Sequence, residues 1–340
     1  MTISISALKG YLLEEVLSKL LENCGYTLIT KEVLKDSRNS YTEFVSQGNG
    51  MNIKGRGGTH QADVLGQFPI SIPFNYPIRL FLEAKFKENK VGIDVVRSGI
   101  GILTDLNANY QTIDLSGDEL LIQRYNYQYA IISKSGFSEN AIKLAIAYKI
   151  TLIDLSGQEY AALLNAIESV ANDVMYLISS RRISLNELRN IIRLQLFNLD
   201  IEDNTLESEN LRIILNPLFS EVNKYGDLYL ASIDSPFSIL LKPSSSEDLR
   251  TFLEESRNST FDVRITWNED NQNLWEISLN SNSNIRFTFY LPELLKEYIF
   301  ENRRNQDIFT NALNAKRLFM GNIVFYVRNV EKFIIFKYVI

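Results

Sequence analysis

Cysteine and histidine are nearly missing from this sequence, whose 340 residues contain one of each, Cys24 and His60. A single cysteine excludes an internal disulfide and a cysteine-built zinc site, and a single histidine excludes a histidine cluster. Zinc chemistry and a Ser-His-Asp triad are therefore not expected. Apolar runs stay far short of the roughly 20 residues that cross a bilayer, and Glu14 and Glu15 interrupt the N-terminus where a signal peptide needs an uncharged core. We expect a cytoplasmic protein without a membrane segment.

The sequence also has no strong excess of positive or negative charge. The composition is 45% hydrophobic and 22% charged, which is ordinary for a globular chain, and the length allows two domains. A net charge of −6 argues against indiscriminate binding to nucleic acid. Residues 54–97 reverse this balance, with 7 lysines and arginines against 4 aspartates and glutamates. A positive neighbourhood is therefore expected there.

The N-terminal half alternates between helical and strand-like patterns. Leucines at helical spacing predict a helix over 7–24, whereas the polar, glycine-rich stretch 46–61 predicts a loop. After it we predict strands and helices in turn: strands at 62–68 and 78–86, a helix within 91–107, a strand at 127–135, a helix at 138–149 capped by Ser138, and a strand at 150–155. Such alternation indicates an α/β layer with some parallel strand pairing, that is, a mixed central sheet flanked by helices.

Beyond about residue 200 the pattern changes to short β-type runs separated by Asn- and Ser-rich turns, with one helix around 292–318. This predicts a separate C-terminal α+β domain, in which we find no catalytic motif. We therefore divide the chain into an N-terminal domain (1–165), a helical linker (166–200) and a C-terminal domain for recognition, sensing or partner binding (201–340).

Two strand-like runs carry charges that a strand interior normally excludes. Asp63 lies in "HQADVLGQ" (60–67), and Glu83 and Lys85 lie in "RLFLEAKF" (79–86). Burying unpaired charges is costly, but a cation shared by Asp63 and Glu83 would offset that cost. Residues two apart on a strand face the same side, so Lys85 would accompany Glu83. Oxygen ligands without histidine or cysteine favour Mg²⁺ or Mn²⁺.

The order of these motifs resembles the PD-(D/E)XK nuclease superfamily, and within it the Mrr-like restriction endonuclease branch. In both, an opening helix carries a glutamate and ends in Gly-Tyr, and it is followed by an acidic residue, a proline-rich gap and "EAK". The family's glutamate lies about eleven residues before that glycine, and counting back from Gly25 selects Glu14 over Glu15. A "GFS" turn at 136–138 opens the later helix, as in the family. The resemblance covers about residues 5–165. The proline that precedes the aspartate in the family's PD motif is replaced here by Ala62, directly before Asp63.

The resemblance implies a restriction-endonuclease-like fold and a Mg²⁺-dependent endodeoxyribonuclease, in restriction or antiviral defence. Asp63 and Glu83 would hold the metal with the Ala84 carbonyl, and Glu14 would contribute directly or through water. Lys85 would orient or deprotonate the attacking water. The residues expected to touch nucleic acid are His60 and Gln61 beside the site, and Arg56, Lys87 and Arg97 on the phosphate backbone.

Simpler readings stay open for each of these residues. Asp63, Glu83 and Lys85 would also suit an edge strand with charges paired in solvent, Glu14 a solvated helix face, and His60 a hydrogen bond within a loop. The same site acting on RNA is one alternative function. Another is a catalytically silent subunit that binds nucleic acid or protein in a larger complex, since the acidic C-terminal half favours a protein partner or a homo-oligomer.

Overall fold

A computed structural model describes residues 4–30, 44–45, 51–71, 73–109, 111–113, 116–117, 119–121, 125–180, 185–197, 206–224, 228–234, 238–267, 271–300 and 305–339. The helices are α1 Ile5–Asn23, α2 Ile93–Asn107, α3 Glu139–Ala147, α4 Ala161–Ser180, α5 Leu185–Leu196, α6 Leu206–Lys224, α7 Ser246–Glu255, α8 Glu293–Phe300 and α9 Asn305–Phe319. The strands are β1 Thr27–Leu28, β2 Phe44–Val45, β3 Met51–Lys54, β4 Thr59–Ala62, β5 Val64–Gln67, β6 Ile78–Lys85, β7 Gln111–Ile113, β8 Glu119–Leu121, β9 Asn126–Ser133, β10 Thr151–Asp154, β11 Tyr229–Ile233, β12 Ser238–Pro243, β13 Thr260–Trp267, β14 Leu274–Leu279, β15 Arg286–Tyr290, β16 Asn322–Val327 and β17 Lys332–Tyr338.

The chain divides into two compact units that are interleaved in sequence. The first unit comprises 1–22, 26–137 and 154–226, and the second comprises 23–25, 138–153 and 227–340.

A mixed sheet forms the centre of the first unit, where strands β1, β5, β6 and β9 lie side by side in that order. β5 runs antiparallel to β6, whereas β6 and β9 run parallel from Ile78 opposite Asn126 to Lys85 opposite Ser133. β6 and β9 are apolar on both faces over most of their length, as parallel central strands are. Helix α2 packs against β9, so the mixed sheet with flanking helices is confirmed.

The stretch 46–61 does not follow the loop prediction, which is wrong for its described part. β3 and β4 pair antiparallel there, from Met51 opposite Ala62 to Lys54 opposite Thr59, and β2 extends them to three strands. Glycines 55, 57 and 58 form the turn between β3 and β4. The glycine-rich motif therefore marks a hairpin turn whose flanking strands are only four residues long.

In the second unit, seven strands close into a barrel in the order β11-β12-β15-β14-β13-β17-β16. Buried and more exposed residues alternate along β14, and the buried core of this unit combines aliphatic side chains with the aromatic side chains of Trp275, Phe287, Phe289, Phe325 and Phe336. Strand and helix in this region were predicted, but closure was not. The helix expected around 292–318 is described as two, α8 and α9, and α7 and β16 were not predicted.

One helical segment, Gln158–Ile178, is apolar and long enough by composition alone to cross a bilayer. Its side chains Leu163, Ile167, Val170 and Val174 are buried, and helix α4 packs on α6 within the first unit. Core helices of soluble proteins share these properties, so the segment is compatible with a soluble protein.

Candidate active site

Asp63 lies at the bend where β4 ends and β5 begins, not inside a strand as predicted. The β5–β6 register pairs Val64 with Leu82, and continuing it by one residue places Asp63 opposite Glu83. The Ala84 amide donates a hydrogen bond of 2.8 Å to Asp63 Oδ2. The antiparallel register therefore brings the two carboxylates together across neighbouring strands, as the sequence spacing suggested.

Glu83 and Lys85 lie on the same face of β6, as expected for residues two apart. The Lys85 ammonium forms an ion pair with Glu83 Oε1, and the Tyr129 hydroxyl of β9 donates a hydrogen bond to Glu83 Oε2. Both side chains of the ion pair are about four-fifths buried, with 21% and 19% of their surface exposed. Burial, followed by the Glu83 charge, raises the pKa of Tyr129, so its hydroxyl stays protonated and acts as a donor.

Helix α1 presents Glu14 to the same cluster. The Glu14 side chain is half-buried, and burial together with the charge of Asp63 raises its pKa to about 8. Burial also raises the pKa of Asp63, although the Ala84 amide and Lys85 partly oppose that shift. A carboxylate raises the pKa of another carboxyl group only when the two lie within electrostatic range. The structure thus brings Glu14 towards Asp63, in keeping with its selection over Glu15.

A second set of side chains behind Glu14 was missed by sequence reasoning. Glu15 is 2% exposed, and its Oε1 accepts hydrogen bonds from the Tyr11 hydroxyl at 2.5 Å and from Arg193 Nε of α5 at 2.8 Å. The Arg189 guanidinium lies over the Tyr11 ring, 4.2 Å from its centroid. Arginines at i and i+4 of a helix were visible in the sequence, but their partners were not. Tyr129, in an apolar strand, looked like ordinary core.

His60 is held by Asp105 of α2, at 2.7 Å between Nε2 and Oδ2. The Gly57 and Gly58 amides donate to the same carboxylate. Burial alone would raise the pKa of Asp105. The hydrogen bonds from His60 and the two amides outweigh burial and hold this pKa below its usual value. His60 therefore ties β4 and the β3–β4 turn to α2; it makes a structural hydrogen bond, although from a strand to a helix and not within a loop.

The other residues predicted to contact nucleic acid are all exposed. Arg56 lies in the β3–β4 turn, Gln61 on β4, Lys87 just after β6, and Arg97 on α2, where it pairs with Asp94 at 3.1 Å. All four side chains are exposed to solvent and are therefore accessible to a ligand.

The donor atoms around Asp63 are hard oxygens. Within the described part of the chain, no three or more His, Cys, Asp or Glu side chains are close enough to form a metal cluster by themselves. Mg²⁺ commonly binds through one or two carboxylates and completes its shell with water and substrate phosphate. The Asp63 and Glu83 carboxylates fit that requirement, and a cation there would offset the burial that raises the pKa of Asp63.

Comparison with known proteins gives no functional assignment. No family model and no curated protein matches the chain. A similar solved structure is the crystal structure of the protein of unknown function AF1548, with 15% identity and a TM-score of 0.31, covering 64% of this chain and 97% of that one.

Proposed function

We propose that this chain is a Mg²⁺- or Mn²⁺-dependent nuclease that hydrolyses phosphodiester bonds in DNA, and that its first unit is a restriction-endonuclease-like, Mrr-like member of the PD-(D/E)XK superfamily. The observation that carries the proposal is the pairing across β5 and β6. Asp63 is held against the Ala84 amide, opposite Glu83, and Lys85 shares the face of Glu83. A role in restriction or antiviral defence is what the resemblance implies, and a place in the cytoplasm is the expectation from the short apolar runs and the charged N-terminus.

Asp63, Glu83 and the Ala84 carbonyl would hold the cation, with Glu14 contributing directly or through a water molecule. A divalent cation supplies the positive charge that polarises the scissile phosphate and lowers the pKa of the attacking water. The Tyr129 hydroxyl fixes one oxygen of Glu83 and so orients the carboxylate. Such outer partners of ligand side chains determine how well the ligands are arranged before binding.

Lys85 would act on the attacking water and the phosphate and would not bind the metal ion. Its ammonium is anchored by Glu83 on the face where Asp63 lies, so it is placed to orient the attacking water and to stabilise negative charge that develops on the phosphate. Arg56, Gln61, Lys87 and Arg97, together with His60, would contact the backbone of the nucleic acid. Phosphate contacts position a strand without reading its sequence.

Cleavage of supercoiled plasmid and of single-stranded RNA, each with Mg²⁺ or Mn²⁺ and with EDTA, tests the proposal. We expect metal-dependent cleavage of DNA that Asp63→Ala and Glu83→Ala abolish. Cleavage of RNA alone would assign the same site to RNA. Absence of cleavage with any metal, together with retained binding of nucleic acid or protein, would identify a catalytically silent binding subunit instead.

A further inference from the structure

Helix α5 brings two arginines, one turn apart, to helix α1 beside the candidate active site. Arg193 pairs with the buried Glu15 at 2.8 Å, and Arg189 lies over the Tyr11 ring. Tyr11 is fixed in turn by its hydrogen bond to Glu15. Both arginines belong to the first unit, but they lie outside residues 1–165, the part that the family resemblance covers.

The two arginines differ in how their guanidinium groups are satisfied. Arg193 is committed to Glu15. For Arg189, the residues that the structure describes offer no hydrogen-bond acceptor and no carboxylate within ion-pair distance, and its buried Nε has no partner there. A guanidinium has five N–H donors in a planar fork. An aromatic ring can hold its position but cannot satisfy those donors.

Arg189 also lies beside the candidate site. Its guanidinium covers the Tyr11 ring, Tyr11 precedes Glu14 by three residues on α1, and residues three apart on a helix are neighbours on its surface. A polyanion that approaches Asp63, Glu83 and Glu14 meets negative charge, so cationic side chains are needed at its edge. Arginine suits this position because its fork matches two phosphate oxygens at once.

We propose that Arg189 is a phosphate-binding residue of this site, an inference that rests on the function proposed above. Its guanidinium binds a non-bridging oxygen of the nucleic-acid backbone beside the bond to be cleaved. Arg193 is a positioning residue, which keeps Glu15 and Tyr11 in place and so holds the ring on which Arg189 rests. Helix α5 is then part of the nuclease and not only a linker.

Binding of a fluorescently labelled DNA duplex, followed by anisotropy between about 50 and 200 mM salt, tests this inference. The measurement uses the full chain carrying Lys85→Ala with Mg²⁺ present, so that the duplex stays intact. We expect Arg189→Gln to weaken binding about 10- to 150-fold, the scale of one charged hydrogen bond. The slope of log K against log salt should fall by about 0.9, as for one lost phosphate contact. Arg189→Lys should keep the slope.

Two further variants make the result specific. Arg212→Gln, an exposed arginine on α6, is the matched control and should leave affinity and slope unchanged. Arg189→Met retains a long apolar stem over Tyr11 and should reproduce the loss seen with Arg189→Gln, even if the shorter polar variant is unstable. An unchanged slope in a folded Arg189→Met or Arg189→Gln chain overturns the assignment, while metal-dependent cleavage by the parent chain would still support the proposed function. A parent chain that binds neither DNA nor RNA overturns both.

Discussion

Both carboxylate oxygens of Glu83 are engaged within the protein, one by the Lys85 ammonium and the other by the Tyr129 hydroxyl. Burying a carboxylate costs several kcal/mol unless such partners are present, and these two partners offset that cost for Glu83. The remaining lone pairs still allow a cation to bind. Lys85 then faces two possible roles, a structural counter-ion of Glu83 or a group that acts on the reaction.

Lys85→Ala distinguishes these roles. If Lys85 acts on the water and the phosphate, the variant should keep Mg²⁺ or Mn²⁺ binding by calorimetry and lose about 10²-fold or more in cleavage rate. Lys85→Arg should rescue little, because the guanidinium is broader and stays protonated. Lys90→Ala, an exposed lysine nearby, is the control. A parental cleavage rate in Lys85→Ala would reduce Lys85 to a structural counter-ion.

Glu14 makes stability depend on pH. Its pKa is about 8 in the folded chain and 4.5 as the ordinary value, so between these values the folded state binds more protons than the unfolded state. Stability must therefore fall as pH rises through that window. We expect Glu14→Gln to remove part of this loss and to raise the Tm by roughly 2–5 °C at pH 8 in EDTA, with little change at pH 5.

Scanning calorimetry at several pH values measures this effect. Asp173→Asn, an exposed carboxylate on α4, is the matched control and should leave the pH dependence as it is. A parent chain whose Tm is constant between pH 5 and pH 8, or a Glu14→Gln chain that follows the parent, would mean that Glu14 is solvated.

At the scale of elements, helix α2 is shaped by what packs on it. A Cβ at Gly99 would lie 2.8 Å from Tyr129 Cε1, whereas a Cβ at Gly101 would meet nothing within 4 Å. The Tyr129 ring stacks on Phe81 with centroids 5.0 Å apart, so it has little room to move. The glycine at 99 therefore permits the close approach that lets Tyr129 reach Glu83.

The pair Gly99→Ala and Gly101→Ala tests this packing within one helix. Gly101→Ala should stabilise the chain by about 0.5–1 kcal/mol through helix propensity alone. Gly99→Ala should destabilise it by about 1–3 kcal/mol through overpacking. It should also weaken Mg²⁺ binding about 10-fold, because the Tyr129 hydroxyl is displaced from the carboxylate. Denaturant titration and calorimetry give the two quantities, and equal stability of both variants would contradict the close packing.

Elements with a clear local pattern were predictable from the sequence. Apolar spacing predicted β5, β6, β9 and α2 close to where they are found. The approach of Asp63 to Glu83 was expected only if the registers of their strands matched, and the β5–β6 pairing supplies that register. The β3–β4 hairpin was not, because its four-residue strands alternate weakly and their turn is held by Asp105, a residue far along the chain. Closure of the barrel was missed for the same reason, since the parallel β13–β17 pairing joins distant segments.

At the scale of the whole molecule, the first unit extends well past residue 165 and includes α5 and α6. Glu15 on α1 depends on this extension, since Arg193 bonds its buried carboxylate together with Tyr11. A chain that ends at residue 165 would keep Asp63, Glu83 and Lys85 of the proposed nuclease site but would lose the Arg193 guanidinium. Only the Glu15 end of this pair is buried, since 40% of the Arg193 side chain is exposed. Leaving a buried acceptor without its partner typically costs about 1–3 kcal/mol.

We therefore expect a chain of residues 1–226 to unfold cooperatively, and a chain of residues 1–165 to unfold at a temperature lower by an amount on the order of 10 °C, or without a cooperative transition. Circular dichroism in the near and far ultraviolet during heating measures the difference. Glu15→Gln placed in the shorter chain should recover part of the loss, because a neutral amide tolerates the absence of Arg193 better than a carboxylate does. If the two chains melt together, or if Glu15→Gln recovers nothing, the Arg193–Glu15 pair does not tie α5 to the first unit, and residues 1–165 are an independent domain as the sequence alone predicted.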